Sequence, residues 1–294
     1  MTSLEHKYPV SKLCLVVGLS PSTFYYHRSK QARADPYANI RPVLREVFDS
    51  SYSSYSSYSS YSSYGYRRIQ AVLKTKYGFG LSGKTVLKLM REEGRVCLIR
   101  RKKYVSYGSA VGLSAANVLK RDFRSSGPNQ KWATDVTEFK VLGQKQYLSP
   151  VIDLFNGEVI SYELAPSPVL GLVTNMLDKA FLKLDAGQRP IIHSDQGWHY
   201  RHLSYQKALA KRGLVQSMSR KGNCLDNAVA ENFFGHFKEE FLRQQTFTSI
   251  SQFKTELDGY LNWFNNDRIK LKLKGLSQVQ YRAQSLDSLS LAPN

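Results

Sequence analysis

Three carboxylates stand out by type and spacing: Asp135 in K-W-A-T-D-V-T-E-F, Asp195 in I-I-H-S-D-Q-G, and Glu231 closing S-M-S-R-K-G-N-C-L-D-N-A-V-A-E. Asp195 lies 36 positions ahead of Glu231. Acids that gather in a folded chain lose hydration and repel one another, so the arrangement is costly unless a cation neutralises it. A hard divalent ion does so through oxygen ligands, and Mg²⁺ fits that description. Two strands and one helix would have to deliver these side chains. Asp135 lies in an apolar run that reads as a buried strand, and Asp195 ends a second one, where Gly197 lets the chain turn away. Glu231 falls on the first turns of a helix entered near Asp226, whose stripe Ala230, Phe233, Phe234, Phe237 and Phe241 is expected to face the core. Lys238 follows Glu231 by nearly two turns and Asn227 precedes it by one, so all three share a side. Amide, carboxylate and ammonium together suit a phosphodiester beside metal ions. A lone helical glutamate would otherwise be a solvated surface group.

Around these positions the texture is that of a mixed α/β sheet. W-A-T-D-V-T-E-F-K-V reads as one strand, and Q-Y-L-S-P-V-I-D-L-F and G-E-V-I-S-Y-E-L-A as the next two, turned by Asn156-Gly157. Val169 to Leu184 has helical spacing, P-I-I-H-S-D is a fourth strand, Leu203 to Arg212 a helix, and L-V-Q-S-M-S a fifth strand. Three strands followed by alternating helices and strands predict a sheet of mixed direction.

The preceding part of the chain is built differently. The 294 residues carry 42 Lys and Arg against 23 Asp and Glu, a net charge of +19, of which residues 1–124 hold +15 and residues 125–294 hold +4. A basic front half points to a polyanion, most simply nucleic acid. From Pro9 to Arg28 a helix through Leu13, Val16 and Val17 stops at Gly18, and Ser20 caps a second helix that begins with Pro21. That is a helix-turn-helix pattern, with a plain helical hairpin as the alternative. Tyr25, Tyr26, His27 and Arg28 would give the second helix stacking and phosphate-contacting groups. A further helix is expected over Ile40 to Phe48. Ser50 to Tyr64 is then five copies of Ser-Ser-Tyr, a period that suits neither helix nor strand and reads as a loop or linker. Stacking of its tyrosines on bases is the alternative. The next segment repeats the helix-turn-helix logic: Ile69, Val72 and Leu73 make one stripe, Gly78 and Gly80 break it, and Ser82 caps a helix with Val86, Leu89 and Met90 inward. Arg67, Arg68, Lys84, Lys88 and Arg91 are candidate DNA contacts, with a solvated face as the alternative. Arg100, Arg101, Lys102 and Lys103 would add salt-dependent backbone affinity.

Cys14, Cys97 and Cys224 are far apart and form no C-x-x-C pair, which argues against a zinc knuckle or a disulfide framework. The first residues do not resemble a signal peptide and no apolar run approaches the ~20 residues of a span, so a soluble, cytoplasmic protein without membrane contact is expected.

W-A-T-D-V-T, H-S-D-Q-G, S-M-S-R-K-G-N-C-L-D-N-A-V-A-E-N-F-F-G and F-N-N-D-R-I-K resemble bacterial insertion-sequence transposases of the DDE class, the second-reading-frame type with a retroviral-integrase-like core. The likeness runs from about Val10 to Tyr281, outside the Ser-Ser-Tyr tract. It implies an RNase H-like core behind an all-α helix-turn-helix region, and a triad of Asp135, Asp195 and Glu231 as both catalytic and metal-binding groups. It also implies Lys238 against the element's terminal DNA. Two Mg²⁺ ions, or Mn²⁺ in their place, would clamp the attacking and leaving oxygens of an in-line displacement. Water would nick double-stranded DNA at the terminal inverted repeats, and the freed 3′ hydroxyl would attack target DNA. An upstream-frame partner or fusion and a homo-oligomer on DNA are implied too. The domains expected are residues 1–35, a helix-turn-helix-like segment; 36–104, a second such domain holding the repeat 50–64; 105–127, a linker; and 128–294, the integrase-like core with a helical tail. Two departures stand out: the repeat itself, and Arg268-Ile269-Lys270 where such proteins carry Arg-Pro-His. A structure-selective nuclease on the same fold and a catalytically silent DNA-binding regulator are the rival functions.

Overall fold

The computed structural model describes residues 6–32, 34–50, 64–95, 97, 115–120, 122–220 and 227–290. The repeat copies within 51–63, the Arg100–Lys103 run and residues 221–226 lie outside that set. The chain divides into two compact units, Met1–Glu46 and Val47–Asn294.

In the first unit α1 (Val10–Val17) ends where Gly18 takes a left-handed φ of 66°. Helix α2 (Pro21–Ala32) follows, and Ser20 Oγ accepts from Thr23 N at 3.1 Å, as its capping position predicts. Cys14 and Phe24 are buried, whereas Leu15, Val16 and Val17 are exposed. Helix α3 (Ile40–Ser50) begins in this unit and ends in the second.

The second unit contains α4 (Tyr66–Tyr77) and α5 (Gly83–Glu92). Ile69, Val72 and Leu73 on α4, and Val86, Leu89 and Met90 on α5, are buried. The turn between them uses Gly78 at φ 74°, and Ser82 caps α5 by accepting from Thr85 N at 3.1 Å. Among the described residues six strands form one sheet, with β1 (Lys131–Thr134), β2 (Thr137–Val141), β3 (Gln144–Asp153), β4 (Val159–Ala165), β5 (Ile191–Ser194) and β6 (Gln216–Met218). Strand β3 pairs antiparallel with β1, β2 and β4, while β1–β5 and β5–β6 are parallel. The single strand expected over W-A-T-D-V-T-E-F-K-V is therefore two. Asp135 and Val136 interrupt it, because the Asp135 carboxylate rather than a neighbouring strand takes the Val136 N–H, at 2.8 Å.

Helices α6 (Leu170–Phe181), α7 (Trp198–Arg201) and α8 (Leu203–Lys211) join Trp132, Val151 and Ile192 of the sheet in one apolar cluster through Val173, Met176, Tyr200, Tyr205 and Leu209. A second, aromatic cluster gathers under α9 (Ala228–His236) and α10 (Ile250–Asn266). There Phe139 meets Phe237 at 5.1 Å, Phe241 stacks on Tyr260 at 5.0 Å and Phe233 meets Phe264 at 5.3 Å. The phenylalanine stripe is buried as its spacing predicts. The α-helix stops at His236, however, and Phe237–Leu242 form a π-helical turn that the stripe does not announce. Beyond α10, a short 3₁₀ turn at Leu271–Leu273 leads to α11 (Gln278–Ser290). Asn265 closes the β4 edge by accepting from Val159 N and donating to Val159 O, both at 2.9 Å. Arg282 of α11 holds the buried Asp153 at 2.9 Å and Glu158 at 3.1 Å. Residues 115–120, inside the stretch expected as linker, run beside β6, where Val118 N donates to Ser217 Oγ at 3.0 Å.

Candidate active site

Strands β1 and β5 lie side by side and parallel, with Ala133 opposite His193. Asp135 and Asp195 therefore leave adjacent strand ends at the same level, the carboxyl edge of the sheet where ligands of open α/β sheets gather. The Asp135 carboxyl is pushed up to about 8 by burial, then by the charges of Asp195 and Glu231, against the pull of the Val136 N–H and Lys238. Burial also raises Asp195, while the Gly197 N–H, donating at 2.8 Å, with His199 and Arg201, works the other way. Gly197 is needed for this contact, because a Cβ there would sit 2.9 Å from Asp195 Oδ1. Glu231, on α9, is half-buried. Lys238, in the π-helical turn, is lowered by burial and by Arg243 and raised by Asp135, so its ammonium also feels that acid. Asn227 is buried just before α9, and neither Oδ1 nor Nδ2 has a hydrogen-bond partner.

The three acids and Lys238 thus share one electrostatic environment, centred on Asp135. Among the described residues no three His, Cys, Asp or Glu side chains stand close enough to form a closed ligand set. The donors fit a hard divalent ion all the same. They are carboxylate oxygens, and Asp135 is pushed up by burial and then by its neighbours' negative charge, an imbalance a cation relieves.

The candidate DNA contacts separate into groups. Lys84, Lys88 and Arg91 are exposed on α5, with Lys88 3.7 Å from Glu92. Arg67 is exposed as well. Arg68 turns inward: Nη1 lies 3.8 Å from buried Glu240, and the guanidinium stands 5.3 Å over the Tyr64 ring. Arg100, Arg101, Lys102 and Lys103 fall outside the described residues.

Integrase core domain families match residues 125–224 and 231–286, and an HTH-like domain family matches residues 38–103. A protein named as transposase InsK for insertion sequence element IS150, from Escherichia coli, is 45% identical over 285 residues, 97% of each chain. The chain belongs to the insertion-sequence transposases. Transposase InsF for insertion sequence IS3A, also from Escherichia coli, is 30% identical over 285 residues, 96% of each chain. The HTLV-2 integrase catalytic core domain, solved in complex with magnesium, is 18% identical with a TM-score of 0.43, covering 54% of this chain and 99% of that one. A transposase with an integrase core is a polynucleotidyl transferase that acts on DNA.

Two parts of this transposase carry no sequence motif. Tyr200 lies buried beneath both aspartates with its hydroxyl 3.4 Å from Thr134 Oγ1. Burial and the charges of Asp135, Tyr205 and Asp195 raise its phenol, which stays protonated. The other is Glu240, 3% exposed, gripped by Arg268 with Nε 2.6 Å from Oε2 and Nη2 2.5 Å from Oε1. Its sequence signal was a charged residue inside an apolar stripe, three positions past Phe237. Arg268-Ile269-Lys270 is thus a built part of the core. Arg268 is the inner cation, and Lys270 Nζ donates to the carbonyls of Gly157 at 3.2 Å and Asn156 at 3.4 Å.

Proposed function

We propose that Asp135, Asp195 and Glu231 are the metal-binding and catalytic centre with which this transposase cleaves the ends of an insertion sequence and joins them to target DNA. The observation that carries the reading is the parallel register of β1 and β5, which brings Asp135 and Asp195 out at the same level, where Asp135 feels both other acids and Lys238. The three carboxylates would hold divalent ions, Mg²⁺ or Mn²⁺, keeping them at the carboxyl edge of β1 and β5. When bound, such ions polarise the scissile phosphodiester and stabilise charge on the attacking and leaving oxygens. The chain's own residues do the positioning. Gly197 N–H orients the Asp195 carboxylate, Val136 N–H orients that of Asp135, and the helix carrying Glu231 brings Lys238 to the same side for a non-bridging phosphate oxygen. Asn227, with a free amide, supplies a donor and an acceptor to the same DNA strand. Water attacks one phosphodiester and leaves a 3′ hydroxyl, which then displaces a second; no covalent protein intermediate is required.

Residues 36–104 read as the domain that binds the terminal inverted repeats, with Lys84, Lys88, Arg91 and Arg67 as backbone contacts. Residues 1–35, the linker 105–127 and the core 128–294 complete the proposed division. An upstream-frame partner or fusion, a homo-oligomer on DNA and a cytoplasmic, nucleoid-associated location belong to the same proposal. Among the described residues no helix is long and apolar enough to cross a membrane.

The test is a strand-transfer assay with a labelled element-end duplex. Glu231→Gln should bind the duplex as the parent does and give no joined product. Undiminished joining would sink the assignment, and cutting without joining by the parent protein would favour the nuclease.

A further inference from the structure

We infer that Glu240 pins the rotation of the helix carrying Glu231 and Lys238, and that Arg68 and Tyr64 are positioning residues acting through this pin. The inference rests on the proposed centre for its catalytic consequence, but its structural part stands apart from it. Three chain segments, residues 64–68, 236–240 and 267–270, meet around one buried carboxylate. Arg268 grips Glu240 through two hydrogen bonds and is itself 1% exposed. His236 Nδ1 stands 3.0 Å from Glu240 Oε1 and 3.1 Å from Arg268 Nη2, so one tautomer donates to the carboxylate and the other accepts from the guanidinium. Arg68 of α4 approaches the same Oε1 at 3.8 Å. Tyr64, the last tyrosine of the Ser-Ser-Tyr tract, is 4% exposed. Its hydroxyl accepts from Ile269 N at 3.0 Å and donates to Asp267 O at 3.3 Å.

The geometry gives this cluster its mechanical role. Residues two apart on a helix stand roughly opposite each other. Glu240 reaches Arg268, so Lys238, two residues away, leaves the opposite side of the same turn, where it feels the Asp135 carboxylate. A helix held by a bidentate charged pair on one side cannot roll, which fixes the direction in which Lys238 and Glu231 point on the other. The π-helical turn over Phe237–Leu242 carries both groups. Arg68 and Tyr64 connect the pin to the helical segment that holds Lys84, Lys88 and Arg91, so a disturbance of that segment has a direct route to the catalytic helix. Arg68 thereby leaves the set of DNA contacts, while its exposed neighbour Arg67 stays in it.

The full-length protein tests this with Arg68→Gln, Tyr64→Phe and Arg68→Lys, read by amide hydrogen exchange and by strand transfer. Arg68→Gln and Tyr64→Phe should speed exchange within residues 228–242 about tenfold while residues 170–181 keep their protection. At saturating end duplex the transfer rate should fall about tenfold with the dissociation constant within about twofold, and Arg68→Lys should recover part of it. If residues 228–242 keep full protection in both variants, or residues 170–181 lose theirs equally, the pin is overturned. A raised dissociation constant with an unchanged rate would make Arg68 a DNA contact and overturn its positioning role. Should the parent protein neither cut nor join DNA, the proposed centre fails, and the exchange measurement still decides on the pin.

Discussion

Gly197 shows how closely the candidate centre is built. Its N–H holds Asp195 Oδ1 at 2.8 Å, and a Cβ at this position would lie 2.9 Å from that oxygen. Gly197→Ala is expected to push the carboxylate aside while leaving the fold intact. Misplacement of a reacting group by about an ångström costs on the order of 10²-fold in rate, so transfer should fall by that order with the melting temperature nearly unchanged. A transfer rate within twofold of the parent would show that Asp195 tolerates the shift. The acids were legible as candidates from residue type and spacing, since unpaired carboxylates in apolar runs need a reason. The break in the strand at Asp135 was not, because alternation continues across it and only the carboxylate's bond to its own chain reveals it.

At the scale of elements, the buried charges around Arg268 predict an unusual pH response. Lys270 is lowered to about 7 by burial, then by Arg268 and Arg68. Its proton is therefore held more weakly in the folded chain than in the unfolded one. The penalty is fully present below about pH 7, and stability recovers as pH rises from there toward the ordinary lysine value of ~10.4. Lys270→Met should accordingly be more stable than the parent at pH 6, on the order of a few kcal/mol, with the gap shrinking by pH 9. Thermal melts of both proteins at the two pH values check this, and a gap that is absent or widens with pH would contradict it. Periodicity made the helices legible, including the inward Val86, Leu89 and Met90 and the phenylalanine stripe. It did not reveal the π-helical turn, because inserting one residue per turn barely alters an apolar pattern. Nor did it reveal the tail's fit, since Arg268 finds its partner 28 residues upstream and that pairing exists only in three dimensions.

For the whole molecule, the proposed division between recognition and chemistry follows the uneven charge: residues 1–124 hold most of the net positive charge and residues 125–294 hold the candidate acids. Lys84, Lys88 and Arg91 are exposed along one helix. Replacing all three with Gln should weaken end binding, whatever the duplex sequence, and lower the salt slope by about 0.9 for each phosphate left without its cation. An unchanged slope, measured from binding across a salt series, would return α5 to the role of a solvated face. The order of elements was legible because strands and helices alternate with distinct periods, while the junction of residues 64–68 with the tail was not, because a tyrosine ending a serine-rich repeat carries no local mark of burial.

The central claim, that one set of carboxylates carries both cleavage and joining, is tested most directly by strand transfer with Mg²⁺ and a labelled end duplex, comparing the parent with Asp195→Asn. The account predicts joined product from the parent and none from the variant, with end binding retained by both. Joined product from Asp195→Asn at the parent's rate would contradict it.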